Sequence, residues 1–146
     1  MPSREATIPD DPRVIWTDDI LRFHDTDANG HINNSTFSVL CESGRVNLFT
    51  QRLNPTLEPG TFFVIARLAI DFRAELHYPG AVRTGTWITR IGRSSLALEQ
   101  VVVAEGAVAA KAGGVCVLME GATRRATPFS DRTRIAAEAL VRAPSE

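Results

Sequence analysis

A short polar stretch, residues 23–34, concentrates side chains that can do nucleophilic or acid–base chemistry. It places aspartates, asparagines and two histidines around Gly30, and it runs directly into an apolar segment with helical spacing. A carboxylate can attack a carbonyl or activate a water, and unpaired N–H groups at a helix N-terminus can stabilise the resulting oxyanion. Because Asp27 comes a few residues before the predicted helix, we expect its carboxylate beside that helix end.

The same residue types also build loops and helix caps, so each candidate has a structural alternative. Asp27 can also form an Asx turn, Asn29-Gly30 is a strong turn pair, and His31 can simply hydrogen-bond a backbone carbonyl. A metal site formed by His24, Asp27 and His31 is not predicted, because their spacing is not a known tight ligand pattern.

Composition indicates one ordinary globular domain over residues 1–146. The chain is 44% hydrophobic, which is enough for a real core, and residues 1–12, with three prolines, predict a loose N-terminal arm. With 16 basic and 17 acidic residues, a net charge of -1 argues against a nucleic-acid surface or a polybasic membrane patch. We therefore predict neither a nucleic-acid nor a membrane partner.

The cysteines and the N-terminus bear on the cellular compartment. Cys41 and Cys116 both lie in apolar surroundings, which predicts buried thiols in a reducing compartment. The first residues contain no apolar signal core, and no apolar run approaches the length of a membrane span. We expect a cytoplasmic protein.

Apolar periodicity predicts the elements that position the polar stretch. Residues 14–23 indicate a strand, and residues 35–53 indicate a long helix that is buried on more than one face and ended by Asn54-Pro55. Alternating patterns predict strands at 61–73, 82–91, 96–103 and 108–119, and a terminal helix follows at 130–142. Turn-length connections imply an antiparallel meander, so we predict an α+β fold in which a curved sheet wraps around the long helix.

This architecture and the polar stretch together resemble the hotdog-fold acyl thioesterases, and more narrowly their 4-hydroxybenzoyl-CoA thioesterase-like branch. The resemblance spans roughly residues 14–119 and includes a motif of an aromatic residue, x, Asp or Glu, x and Asp, followed by a glycine and a polar helix entry. The matching residues are Phe23-His24-Asp25-Thr26-Asp27, then Gly30, then His31-Ile32-Asn33-Asn34.

Two further matches support the resemblance. The spacing of Asp27, Asn29, His31 and Asn33-Asn34 is similar to that in plant acyl-carrier-protein thioesterases. Residues 91–96 resemble the Gly-x-Ser-Ser turn between two sheet strands of the same branch.

The resemblance implies hydrolysis of a CoA or acyl-carrier-protein thioester without a cofactor. It makes Asp27 the catalytic carboxylate, as nucleophile or general base, and the backbone N–H of Asn34 the oxyanion donor. It implies that Asn29 orients the substrate carbonyl or a water, and that His31 is a hydrogen-bond partner or proton carrier.

The resemblance also implies a homodimer or homotetramer with its active site at the subunit interface. An open sheet edge favours such pairing. Thr61, Phe62 and Phe63 of the partner are the expected acyl pocket, and Arg93 and Ser94 are expected to bind the substrate. Arginines such as Arg67, Arg90 and Arg93 are candidates for contacts with the CoA phosphates.

Two other functions stay open from the sequence. Hotdog enoyl-CoA hydratases carry an Asp-x-Asn-x-x-His motif, whereas this chain has one residue fewer between Asn29 and His31. A non-catalytic acyl-CoA-binding hotdog protein is the other alternative. Asp27 argues against it, because a carboxylate beside an acyl carbonyl has a desolvation cost that a binder does not need.

Overall fold

The computed structural model describes residues 6–145. Its strands are β1 Ile15–Leu21, β2 Thr61–Phe72, β3 Gly80–Ile91, β4 Ser95–Ala104, β5 Ala107–Glu120 and the short β6 Arg125–Ala126. Its helices are α1 Asn34–Leu48 and α2 Asp131–Glu138. A π-helical turn, Phe49–Leu53, and a 3-10 turn, Asn54–Thr56, extend α1, and a further 3-10 turn, Phe23–Asp25, follows β1. Among the residues described, no helix is long and apolar enough to cross a membrane.

The strands form one antiparallel sheet in the order β1-β3-β4-β5-β2, with β6 added beside β5. The sheet is curled into a half-barrel around α1, so the predicted hotdog fold is confirmed. Since α1 lies between β1 and β2 in the chain but these strands form opposite edges, the polypeptide crosses the whole sheet along this helix.

One side of helix α1 packs against the inner face of the sheet. Its buried residues are Thr36, Phe37, Leu40, Cys41, Gly44, Arg45 and Leu48, which recur at three- and four-residue steps. Toward its start they join one apolar cluster with β3, β4 and β5, and toward its end they join a second with the C-terminal segment. The other side of α1 stays exposed, with Val39 58% and Val46 54% exposed. The prediction of a helix buried on more than one face is therefore wrong for this chain, because a single sheet covers only one side of α1.

The two edges of the sheet differ in character. The edge strand β2 has little cover on either face, and Phe62, Val64, Ile65 and Phe72 are between 36% and 49% exposed. Its pairing with β5 shifts register between Ile65 and Arg67, which is a β-bulge. The opposite edge, β1, instead carries Asp18 and Asp19, and Asp18 is 3.3 Å from the guanidinium of Arg83.

The N-terminal arm is only partly within the described residues, since residues 1–5 lie outside them. Residues 6–12 form no helix or strand, as expected, but Ala6 and Ile8 pack against the outer-face cluster around Trp87, so this part is attached to the sheet. Asp11 lies 2.7 Å from Arg13 and 3.3 Å from Arg142, which joins the arm to the C-terminal segment. The hydrogen bond from Arg13 holds the pKa of the Asp11 carboxyl well below its usual range.

Polar side chains separate the two apolar clusters at the middle of α1. Gln100 of β4 donates to the carbonyl of Cys41 at 2.8 Å and to Thr86 Oγ1 at 2.9 Å, and it accepts from Arg45 Nη1 at 3.3 Å. All of these side chains are at least nine-tenths buried. Buried polar groups are costly when unpaired. These bonds therefore fix the position along β3 and β4 at which α1 packs.

Gly44 permits this close contact, and we predict that Gly44→Ala destabilises the fold. A Cβ at this position would lie 2.8 Å from Thr86 Oγ1 and 2.9 Å from both Gln100 Nε2 and Thr84 Cγ2. Those side chains are buried and cannot move away freely, so overpacking of ~1–3 kcal/mol is expected to exceed the gain in helix propensity. The measurement is the free energy of unfolding in urea.

Ser43→Ala is the control for this substitution, since it changes a half-buried neighbour on the same helix. We expect its unfolding midpoint to stay close to that of the parent chain. An unchanged midpoint for Gly44→Ala would mean that the contact with β3 and β4 is loose.

Candidate active site

The loop between β1 and α1 is a compact turn held by its own backbone. The N–H of Asp27 donates to the carbonyl of His31 at 3.0 Å, and the N–H of Gly30 donates to the carbonyl of Asp27 at 3.1 Å. Gly30 has a φ of 81°, a left-handed conformation that glycine adopts at little cost. The N–H of Ile32 donates to the carbonyl of Leu76 at 2.7 Å, which ties the loop to the segment that follows β2.

The carboxylate of Asp27 has one engaged and one open oxygen. Its Oδ1 accepts the backbone N–H of Asn29 at 2.9 Å, so the Asx turn considered from the sequence is present. The same oxygen is 3.9 Å from Nδ1 of His31. Oδ2 has no partner among the described residues, and the side chain is 23% exposed. A turn role and a chemical role for Asp27 are therefore compatible.

The N-terminus of α1 lies next to this turn. Asn33 is the N-cap, and its side-chain Oδ1 accepts the N–H of Ser35 at 2.8 Å. Asn34 is the first residue of the helix, and within the described part of the chain its N–H has no acceptor. Asn34 is an exposed residue, and its N–H carries the partial positive charge of a helix start, which suits a developing oxyanion.

An open cleft of about 280 Å³ lies at this helix start, and we call it the Phe37 cleft. Its walls are the end of β2 and the segment after it on one side and the start of α1 on the other. The lining residues are His31, Ile32, Asn34, Phe37, Phe72, Arg73, Ala74 and Glu75. The rings of Phe37 and Phe72 meet edge to face with their centroids 5.1 Å apart, and they form an apolar floor. The polar lining residues form the rim. Of the predicted catalytic residues, His31 and Asn34 line this cleft, Asp27 lies beside His31, and Asn29 is exposed on the turn.

Glu75 is a residue of this cleft that sequence reasoning missed. Its Oε1 is 3.7 Å from Nε2 of His31, and its Oε2 is 3.7 Å from Nε2 of His77. Glu75 comes just after the end of β2. The sequence could have pointed to it only through its place at a strand end, because residues at a strand end can join a site at a neighbouring helix start. His31 therefore lies between two carboxylates, those of Asp27 and Glu75.

The predicted substrate-binding residues lie elsewhere in the protomer. Thr61, Phe62 and Phe63 begin β2, whereas the Phe37 cleft is at its other end. Twelve strand residues place these two ends roughly 35 Å apart. The structure therefore does not bring Thr61, Phe62 or Phe63 to Asp27 within one chain.

Arg93 and Ser94 are at the same end as Thr61. The carbonyl of Ser94 accepts the N–H of Leu118 at 2.8 Å, and Leu118 pairs with Phe63 in the sheet. Arg93 is exposed, and its carbonyl accepts the N–H of Phe129 at 3.0 Å. These residues thus form a second group with the start of β2.

This second group has its own cavity and its own aromatic packing. Thr61 lines a cavity of about 250 Å³ together with Glu58, Pro59, Leu118, Glu120, Thr127, Pro128, Ser130 and Thr133. Phe63 stacks on Phe49 with ring centroids 4.5 Å apart, and is therefore partly committed to the core. Phe62 is 39% exposed.

The remaining reactive side chains give no further site. Cys41 and Cys116 are buried free thiols, as predicted, and desolvation raises the pKa of each to about 11. Neither is therefore a ready nucleophile. In residues 6–145, no three His, Cys, Asp or Glu side chains are grouped in a way that would hold a metal ion.

A protein-family model matches most of this chain. The family model described as the thioesterase-like superfamily matches residues 21–137, which include the Asp27 turn, α1 and the strands β2 to β5. Comparison with curated proteins gave no match.

Solved structures with this fold include several thioesterases. A predicted thioesterase from Bacillus stearothermophilus is 32% identical with a TM-score of 0.82, and the alignment covers 90% of this chain and 99% of that chain. A thioesterase from Thermus thermophilus, complexed with coenzyme A and Zn, is 37% identical with a TM-score of 0.77 and coverage of 88% and 93%. The DHNA-CoA thioesterase from Staphylococcus aureus, at 16% identity, a TM-score of 0.78 and coverage of 87% and 90%, is similar in fold alone.

We predict that Asn33→Ala destabilises the helix start that presents the Asn34 amide. The substitution removes the acceptor of the Ser35 N–H, and loss of an N-cap costs about 0.5–2 kcal/mol. Asn33→Asp keeps an acceptor oxygen at the same place and should retain most of the stability. Chemical denaturation of the three proteins measures the difference; equal losses for both variants would show that the acceptor oxygen is not what stabilises the helix start.

Proposed function

Because this chain belongs to the thioesterase-like superfamily, we propose that it hydrolyses the thioester of an acyl-CoA or of an acyl-carrier protein. The expectation of a thioester hydrolase is confirmed at the level of the family. The observation that carries the finer proposal is that His31 and the first helical residue, Asn34, line one apolar-floored cleft, with the Asp27 carboxylate beside His31. The CoA complex of the 37% identical Thermus thioesterase favours CoA as the thiol part of the substrate.

Two routes fit this arrangement. In the first, Oδ2 of Asp27 attacks the thioester carbon, the CoA thiolate leaves, and water then hydrolyses the acyl-aspartyl anhydride. In the second, Asp27 takes a proton from a water that attacks the same carbon directly. Both routes place negative charge on the carbonyl oxygen, where the Asn34 N–H can donate to it.

His31 and Asn29 assist in this proposal. A proton must reach the leaving sulfur, and His31, with Nδ1 3.9 Å from Asp27, is placed to carry it. Asn29 is exposed on the turn, where its side-chain amide can orient the substrate carbonyl or a water.

The separation of the two residue groups supports a shared site between two copies. Both groups lie on β2, at opposite ends of an exposed edge strand with several uncovered apolar side chains. Antiparallel pairing of two β2 edges would bring the start of one strand to the end of the other. Thr61, Phe62 and Phe63 of the partner would then flank the Phe37 cleft, in a homodimer or a homotetramer built from such dimers.

The same pairing accounts for the remaining substrate residues. Arg93 and Ser94 share the Thr61 end of the sheet, so they would approach the partner's cleft together with it. Arg93 is exposed and free to meet a CoA phosphate, with Arg67 and Arg90 as further exposed candidates. The assignment to the 4-hydroxybenzoyl-CoA thioesterase-like branch is part of this proposal.

We predict that Asp27→Asn abolishes most thioesterase activity. The amide cannot act as a nucleophile or a base, so a loss of roughly 100-fold or more in kcat is expected, in line with acid–base contributions. The measurement is release of free thiol from a panel of acyl-CoAs by the parent and variant proteins.

The panel also separates the alternatives. Equal rates for the parent and Asp27→Asn would remove Asp27 from the reaction. Absence of thiol release from every substrate would favour a non-catalytic acyl-CoA-binding protein, and loss of crotonyl-CoA absorbance without thiol release would favour a hydratase.

We predict that Ile65→Lys separates the subunits and removes activity. Ile65 is 46% exposed in the middle of β2, so two lysines would meet near the two-fold axis and repel each other. We expect light scattering after size exclusion to report a folded monomer with thiol release reduced at least tenfold.

Ile135→Lys is the matched control, because Ile135 is 68% exposed and lies on α2, outside the β2 strand. It should keep the parent's mass and rate. A parent protein that is monomeric at micromolar concentration, yet active, would contradict the shared site.

A further inference from the structure

His31 is held between two carboxylates from different parts of the chain. Its Nδ1 is 3.9 Å from Asp27 on the same turn, and its Nε2 is 3.7 Å from Glu75, which follows β2. Both distances exceed a direct hydrogen bond, so the attraction is ionic or water-bridged and strengthens when His31 is protonated. His31 is 27% exposed and lines the Phe37 cleft with Glu75.

We infer that Glu75 is a positioning residue for His31, and this inference rests on the thioesterase function proposed above. A carboxylate at one ring nitrogen orients an imidazole and selects which nitrogen carries the proton. With Nε2–H directed to Glu75, Nδ1 faces Asp27 and carries no proton. It can there take up the proton released in the reaction and deliver it to the leaving sulfur.

The proton balance of hydrolysis shows what this arrangement does. The attacking water loses one proton and the thiolate leaving group gains one, so that acid and free thiol are the products. When His31 holds that proton in transit, its positive charge lies between Asp27 and Glu75, which stabilise it from both sides. Without Glu75, the ring is free to turn away from Asp27.

The groups around His31 support a defined arrangement. His77 lies on the far side of Glu75, with Nε2 3.7 Å from Oε2, and its ring is edge-on to His31 with centroids 6.3 Å apart. Arg73 lines the same cleft and is the remaining charged group on that wall. The hydrogen bond between the Ile32 N–H and the Leu76 carbonyl keeps the two chain segments together, so the backbones that carry His31 and Glu75 stay adjacent.

The exposure of Glu75 makes the inference testable. Its side chain is 67% exposed, so an ordinary surface charge at this place would contribute little to stability or rate. We expect Glu75→Gln, which keeps the shape but removes the charge, to lower kcat by roughly 10- to 100-fold with KM within about twofold of the parent, as expected for a misplaced catalytic group. The melting temperature should not change.

Chemical rescue distinguishes positioning from a structural role. Glu75→Ala opens an exposed space beside His31, and added formate should restore part of kcat in this variant but not in Asp27→Asn. Glu138→Gln on α2, an exposed glutamate far from the cleft, is the control and should match the parent.

The outcomes separate this inference from the proposed function. A parent-like kcat for Glu75→Gln in an active enzyme would overturn the positioning role alone, and no thiol release by the parent would overturn both. Loss of kcat with a lowered melting temperature and no formate rescue would make Glu75 structural. All assays are run with and without EDTA; activity lost in EDTA and restored by Zn²⁺ would overturn the positioning role of Glu75.

Discussion

The packing of one side of α1 against the curled sheet is the constraint on which the rest of the structure depends. One long helix cannot bury its own surface, and the curled sheet covers only the side that carries Phe37, Cys41 and Leu48. The polar bonds of Gln100 fix how closely the helix approaches, and Gly44 makes that approach sterically possible. Because the start of α1 is thereby fixed relative to the end of β2, the Asp27 turn, the Asn34 amide and Glu75 face one cleft.

Much of the fold follows from apolar periodicity. The spacing between apolar residues shows which of them share one side of a helix or strand, and that spacing can be read from the sequence. The predicted strand at 61–73 is β2, Thr61–Phe72, and the helix predicted at 35–53 is α1 with its helical extension to Leu53. The predicted terminal helix at 130–142 is shorter in the structure, Asp131–Glu138. Such ends depend on caps and tertiary packing, which the pattern alone does not specify.

The candidate site was predictable only in part, for a different physical reason. Asp27, His31 and Asn34 are close in sequence, so one turn and one helix start bring them together. Glu75 meets His31 only because β2 returns past the start of α1, and no local pattern contains that contact. The distance between Asp27 and Thr61 likewise depends on the direction of β2, which a sequence pattern does not give. Asp27 also shows that a turn residue and a candidate catalytic residue need not be alternatives, since its two oxygens can serve different purposes.

The contrast between the two sheet edges limits how this protein can assemble. An apolar edge at β2 invites a second strand, whereas β1 presents Asp18 and Asp19, and carboxylates on an edge disfavour the addition of another strand. A pair joined through β2 would have only β1 edges left at its two ends. Growth through strand addition would then stop after one step, so the same chemistry that permits a closed pair protects the protein against fibre-like polymerisation.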